Sequence, residues 1–178
     1  MAIKDVAPGR EIPNDINVVI EIPMHADPVK YEMDKDTGML TVDRFAATMM
    51  RYPLNYGFIP NTLGGDGDPL DALVLTPFPL EHGSVIRCRP IGYLDMEDDG
   101  GEDQKLICVP HKKLTPMYEH IQSPADLPAL LKEQVNHFFA HYKDLEPGKW
   151  VKIRDWKGAD DAKALIVEAV ANIKKNAA

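Results

Sequence analysis

Short stretches in which apolar and polar positions alternate, broken by turn residues, fill residues 17 to 60 and predict strands. "NVVIEI" is a compact apolar run, and "VKYEMDKDTGMLTVDRF" predicts a hairpin turning at "DKDTG", where Gly38 can take a positive φ. Alternation puts Lys30 and Glu32 on one face of its first arm and Tyr31 and Met33 on the other. Further strands are predicted at "ALVLTPF", "SVIRCRPIGYL", "KLICVP" and "WVKIRDW", with Pro53, Pro60, Pro77 and Pro79 punctuating them. The period then changes. Leu127, Leu130, Leu131, Val135, Phe138 and Tyr142 follow helical spacing, with Asp126 placed to cap and Pro128 in the first turn. Leu165, Ile166, Ala169, Val170 and Ile173 repeat that spacing in a second helix. Strands first and helices last predict an α+β chain, its C-terminal helices packed on a mostly antiparallel barrel.

Composition narrows the function. The 178 residues read as one domain, 1–178, with ordinary apolar (44%) and charged (27%) content. A net charge of −8 argues against a nucleic-acid or anionic-membrane binder, both of which need basic surface. The opening "MAIKDVAPGREIPND" does not read as a signal peptide, and no apolar run approaches a membrane span. Cys88 and Cys108 sit in apolar runs, as buried free thiols in a reducing compartment would. A cytoplasmic protein is expected.

The stretch "GGDGDPLDALV" then demands an explanation, because Asp66, Asp68 and Asp71 crowd six residues and repel one another. A surface turn is the plain reading, since Asp, Gly and Pro are turn residues. An EF-hand loop fits badly, with Asp71 where Gly belongs and Pro77 where Glu belongs. A phosphatase nucleophile turn fits poorly too, because Leu70 stands where a hydroxyl is needed. A second acidic loop, "DMEDDGGEDQK", adds Asp98, Asp99 and Asp103, and the strands add Glu21 and Glu32. Scattered hard oxygen ligands of this kind suit Mg²⁺, and close aspartates can bridge two ions about 4 Å apart. Interleaved with them are Lys30, Arg44, Tyr56, Lys105, Tyr142 and Lys143. Each could be a surface or core residue by itself. Together they describe a site holding a polyphosphate between metals and cations.

These segments resemble the family I soluble inorganic pyrophosphatases, of the bacterial type. The likeness runs through "VVIEIP", "DPVKYEMDK", "VDRF", "YPLNYGFIP", "DGDPLD", "EHGSVIRCRPIG", "GEDQKLICVP" and "HFFAHYKDLEPGKWVKI". It implies an OB-type five-stranded barrel with flanking helices, Mg²⁺ ions, and hydrolysis of pyrophosphate to two phosphates by direct attack of a metal-bridged water or hydroxide. It also implies roles. Asp66, Asp71 and Asp103 would ligate the tightest metal, with Asp71 shared, and Asp98 and Asp103 would serve ions arriving with substrate, helped by Glu21 and Glu32. Lys30, Arg44, Tyr56, Lys105, Tyr142 and Lys143 would hold the phosphoryl groups, and Asp68 would deprotonate the attacking water. Family members often carry Glu where this chain has Asp99. The resemblance further implies a hexamer of two trimers, for which His137 and His141, spaced i, i+4 on a helix, are interface candidates.

Two rival readings are weaker. Another Mg²⁺-dependent phosphohydrolase would want a Gly-rich phosphate loop or base-stacking aromatics, neither of which is evident. An OB-type module for single-stranded nucleic acid would want a basic, aromatic groove where this chain has carboxylates.

Overall fold

The structure, a computed structural model, describes residues 3–176; Met1, Ala2, Ala177 and Ala178, counted in the expected 1–178 domain, lie outside the described residues. The strands run β1 (Gly9–Glu11), β2 (Asp15–Ile22), β3 (Val29–Met33), β4 (Leu40–Phe45) and β5 (Asn55–Phe58). They continue as β6 (Asp71–Val74), β7 (Val85–Asp98), β8 (Gly101–Glu102), β9 (Lys105–Pro110) and β10 (Val151–Lys157). Helices α1 (Ala129–His141) and α2 (Ala159–Asn176) complete the chain.

Strands β2, β5, β6, β9 and β7 pair in that order, and β7 returns to β2, so five strands close a ring. Only the β6–β9 pairing is parallel. This is the OB-type barrel with two C-terminal helices, as expected. Closure leaves none of the five with a free edge. The long strand β7 makes the ring possible because it pairs with both β2 and β9. Pro90 has no N–H for the ladder, and the register slips between Pro90 and Gly92. On β5 only glycine fits at position 57: a Cβ there would lie 1.8 Å from the Val19 carbonyl oxygen of β2.

Ring strands β2, β5, β6 and β9 are buried on both faces along almost their whole length. Ala72, Val74, Leu106 and Cys108 join Ile16, Val18 and Ile20 in packing against Ala162, Ile166 and Ala169 of α2. Their alternates Leu73, Ile107 and Val109 pack with Val135, Phe138 and Phe139 of α1. Each such large side chain contributes roughly 1.5–3 kcal/mol of burial. Cys88 and Cys108 are buried free thiols, and burial pushes Cys108 up to about 12. Among the described residues, no helix is long and apolar enough to cross a membrane.

Local differences from the sequence reading have identifiable causes. Asp126 does not cap α1; it closes a capping box on a 3₁₀ turn, Pro124–Asp126, with Ser123. Pro128 stands at the N-cap of α1 rather than within its first turn. Leu130 fits the helical spacing but is 65% exposed, whereas Phe139, outside the predicted stripe, is buried. The strand predicted at "ALVLTPF" ends at Val74; Leu75 still donates to the Cys108 carbonyl at 3.0 Å, and the Thr76 hydroxyl then donates to the Phe78 carbonyl.

Candidate active site

A cavity of about 250 Å³ opens where the β3–β4 hairpin, the loop before β6, the loop after β7 and the end of α1 converge. Each of these segments brings its own charges. Lys30, Glu32 and Arg44 come from the hairpin, and Glu21 and Tyr56 from β2 and β5. Asp66, Asp68 and Asp71 come from the loop and start of β6. Asp98, Asp103 and Lys105 come from β7 and the approach to β9, and Tyr142 and Lys143 from the residues just after α1. Every residue expected to act as ligand, substrate donor or base therefore lines this one cavity.

The aspartate-rich loop is held rigidly at its base. Leu70 is buried, its amide donating to the Thr62 hydroxyl at 3.0 Å. Asp66 accepts the Asp68 amide at 3.0 Å, and the Gly64 amide donates to the Asp68 carbonyl at 2.7 Å. Gly67 turns the chain with φ +89°, a value costly for any residue with a Cβ. Asp68 is left projecting outward, where its only ion pair among the described residues is Lys35, at 3.1 Å.

Deeper in, carboxylates and cations interlock. Lys105, 4% exposed, donates to Asp103 at 2.6 Å and to Asp71. Burial disfavours its charge, but the two aspartates more than offset that and hold the ammonium well above its ordinary range. Lys143 donates to Asp98 at 2.6 Å and lies 3.7 Å from Asp99, which also binds Lys149. Desolvation works against the Asp98 carboxylate, yet Lys143 and the Gly100 amide hold its pKa below the usual range. Lys30 pairs with Glu32 and, at 3.4 Å, with Asp43. Arg44 reaches Asp43 at 3.8 Å and Glu146 at 4.0 Å.

Glu21 behaves differently. Burial pushes its carboxyl up to about 7, the Met33 amide partly opposing, with Asp71 and Glu32 adding repulsion. Its Oε1 accepts that amide at 2.7 Å, so Glu21 also ties β2 to the hairpin. Tyr56 and Tyr142 are held far above ordinary phenol values, first by burial. They remain protonated and can only donate toward an anion.

Among the described residues, no three His, Cys, Asp or Glu side chains converge at metal-ligand distance. The carboxylates stand apart with lysines between them, and the cavity lining contains neither His nor Cys. A set made only of carboxylate oxygens fits a hard divalent cation and disfavours a thiolate- or imidazole-seeking one. Lys105 between Asp71 and Asp103 marks a place where positive charge is stabilised.

Sequence reasoning missed two polar lining residues. Tyr52 packs against Phe138 and Tyr56, ring centroids 4.6 and 4.9 Å away. Its signal was present in "YPLNYGF", where two tyrosines four residues apart flank a proline. Lys35 gave no such signal, because a lysine in a turn reads as solvated.

The family described as inorganic pyrophosphatase matches residues 18–174. An inorganic pyrophosphatase from Yersinia pestis is 59% identical over 175 residues, 98% of this chain and 100% of the relative. A solved inorganic phosphatase from Anaplasma phagocytophilum superposes with TM-score 0.94 at 48% identity, covering 96% of this chain and 99% of that one. An inorganic pyrophosphatase structure from Coxiella burnetii gives 0.91 at 50% identity, covering 94% and 99%. A ring barrel carrying this charge-lined cavity, matched at such identity along nearly its whole length, places the chain in the inorganic pyrophosphatase family.

Proposed function

We propose that the cavity binds pyrophosphate together with Mg²⁺ and hydrolyses it to two phosphates by direct attack of water. The observation that carries this reading is the alternation of seven carboxylates and five cations around one small cavity. Neither set alone suits a polyanion: carboxylates repel it, and cations hold it without supplying a nucleophile. Asp66, Asp71, Asp98 and Asp103 would hold the ions, with Glu21 and Glu32 supporting them. Mg²⁺ held by these carboxylates would supply charge neutralisation at the phosphoryl oxygens and a more acidic water.

The chain's own groups do the rest. Lys30, Arg44, Lys105 and Lys143 donate to phosphoryl oxygens, and charge developing on the leaving phosphate falls among them. Tyr56 and Tyr142 add neutral donors that never become repelling phenolates. Asp68 would take the proton of the attacking water, a role supported by its projection from the loop with its carboxylate outside the buried network. No covalent intermediate is required.

The test is phosphate release from pyrophosphate beside a simple phosphomonoester, with Mg²⁺ and with EDTA. Rapid Mg²⁺-dependent release from pyrophosphate alone is expected. Equal rates on both substrates, or a rate that survives EDTA, would refute the reading.

The assembly we propose is a hexamer of two trimers in the cytoplasm, the whole chain acting as one domain. The outer face of α1 supports it, presenting exposed Leu130, His137 and His141, with the histidine rings 4.7 Å apart and His141 bonded to Asp144 at 2.8 Å. Light scattering at neutral pH should give six chain masses, and replacing both histidines by Asp should lower that number by adding repulsion. A monomeric mass would refute the assembly.

A further inference from the structure

Of the five cations lining the cavity, four are held by carboxylates of the framework. Lys30 and Arg44 share Asp43, Lys105 spans Asp71 and Asp103, and Lys143 lies between Asp98 and Asp99. Lys35 differs in place and partner. It projects from the turn between β3 and β4, its side chain 53% exposed, and its one ion pair among the described residues is with Asp68. The turn itself is braced: the Asp34 carboxylate accepts the Asp36 and Thr37 amides and the Thr37 hydroxyl, at 3.1, 2.7 and 2.8 Å. Gly38 completes it at φ +70°. A firm base thus aims a flexible four-carbon stem across the mouth of the cavity. The β3–β4 hairpin is a separate two-stranded sheet, so no ladder joins this turn to the aspartate loop that the lysine reaches.

We propose that Lys35 is a further substrate-binding residue, which leaves Asp68 for the phosphoryl oxygens of pyrophosphate as substrate enters. This inference rests on the hydrolytic reading above. Energetics favour the exchange. An exposed pair such as Lys35–Asp68 is screened by solvent, so breaking it costs little. A polyanion held within the cavity offers several negative oxygens where Asp68 offers one charge, and an ammonium on a flexible stem can follow them. The same movement leaves the Asp68 carboxylate without its lysine at the moment a proton must be accepted. Lys30, Arg44, Lys105 and Lys143 are each tied to the framework by two carboxylates or by burial. Lys35, with a single exposed partner, exchanges it at the smallest cost.

The test compares wild type, Lys35→Met and Lys35→Arg in steady-state hydrolysis of pyrophosphate at saturating Mg²⁺. Calorimetric binding of methylenediphosphonate supplies a readout independent of turnover. Lys35→Met should raise KM and weaken analogue binding by about tenfold, the scale of one charge-assisted contact. Its kcat should fall by less than that factor. Lys35→Arg should recover most of both. A role confined to bracing the turn would instead lower the melting temperature and leave KM in place, and that result overturns the inference. So does a KM for Lys35→Met within about twofold of wild type, where the tenfold scale of a direct contact is absent. Active wild type with an unmoved KM sinks this inference alone, whereas inactive wild type sinks the hydrolytic reading beneath it.

Discussion

At the scale of single residues, the three aspartates of "DGDPLD" are not equivalent. Asp71 sits beside buried Lys105, Asp66 turns back onto its own loop, and Asp68 projects outward. Asp68→Asn keeps the shape but can neither accept a proton nor carry charge. It should lose on the order of 10²-fold or more in kcat while Mg²⁺ affinity by calorimetry holds. Asp71→Ala should instead weaken Mg²⁺ binding. An Asp68→Asn enzyme that merely needs more Mg²⁺ would make Asp68 a ligand. Asn55 shows the structural counterpart. Fully buried, its side chain donates to the Val74 carbonyl and Thr76 hydroxyl and accepts the Met24 and Leu80 amides. Asn55→Leu strands those two amides, each worth about 1–3 kcal/mol. A fall in the urea midpoint with unchanged m-value is expected, and an unmoved midpoint would show that the loops around Met24 and Leu80 can repartner.

Elements were legible where one physical signal sets them. The hairpin at "DKDTG" follows from alternation plus a glycine free to take positive φ, and α2 follows from its apolar spacing. Boundaries were harder, because tertiary partners decide them. Asp126 had a choice of turns to close, and Ser123 settled it by joining Asp126 in a capping box ahead of α1. Leu130 has helical phase but lies 65% exposed on the outer face of α1. The site was legible as residue types in order, since scattered carboxylates and cations state their chemistry even without coordinates. What the order could not convey is pairing across segments, such as Lys105 with both Asp71 and Asp103. One such pairing governs an element. Arg89 of β7 donates to the Tyr118 and Ile121 carbonyls at 3.2 and 2.8 Å and to the Gln122 side chain at 3.3 Å. It pins the segment that carries buried Tyr118 and Ile121 against the barrel. Arg89→Met should speed amide hydrogen exchange across residues 118–122 and leave the aspartate loop unchanged. Equal protection in both proteins would mean that the buried side chains alone hold this segment.

The whole molecule depends on one seam, because the ring closes where β7 returns to β2. Asp15 of β2 and Arg87 of β7 form a two-pronged pair across it, Nε to Oδ1 at 3.1 Å and Nη2 to Oδ2, with His111 4.0 Å away. Asp15 is nearly buried, at 6% exposure. Its carboxyl is held below the ordinary range, first by the hydrogen bond from Arg87 and against the cost of burial. A depressed carboxylate pKa means that the folded state binds its proton less readily than the unfolded chain. The pair therefore contributes its full stability above the unfolded value, about 3.9, and loses it as pH falls through the lower folded value. Asp15→Asn keeps the size and one acceptor but removes the charge and leaves Arg87 without its counterion. The variant should melt at a lower temperature than wild type at pH 7. It should also lose less on acidification, so that the two melting curves draw together below about pH 4. Thermal unfolding of both proteins across that range decides it. Curves that coincide across the whole range would show that the seam is closed by the β2–β7 ladder and its apolar packing, with the ion pair contributing nothing to the stability of the ring.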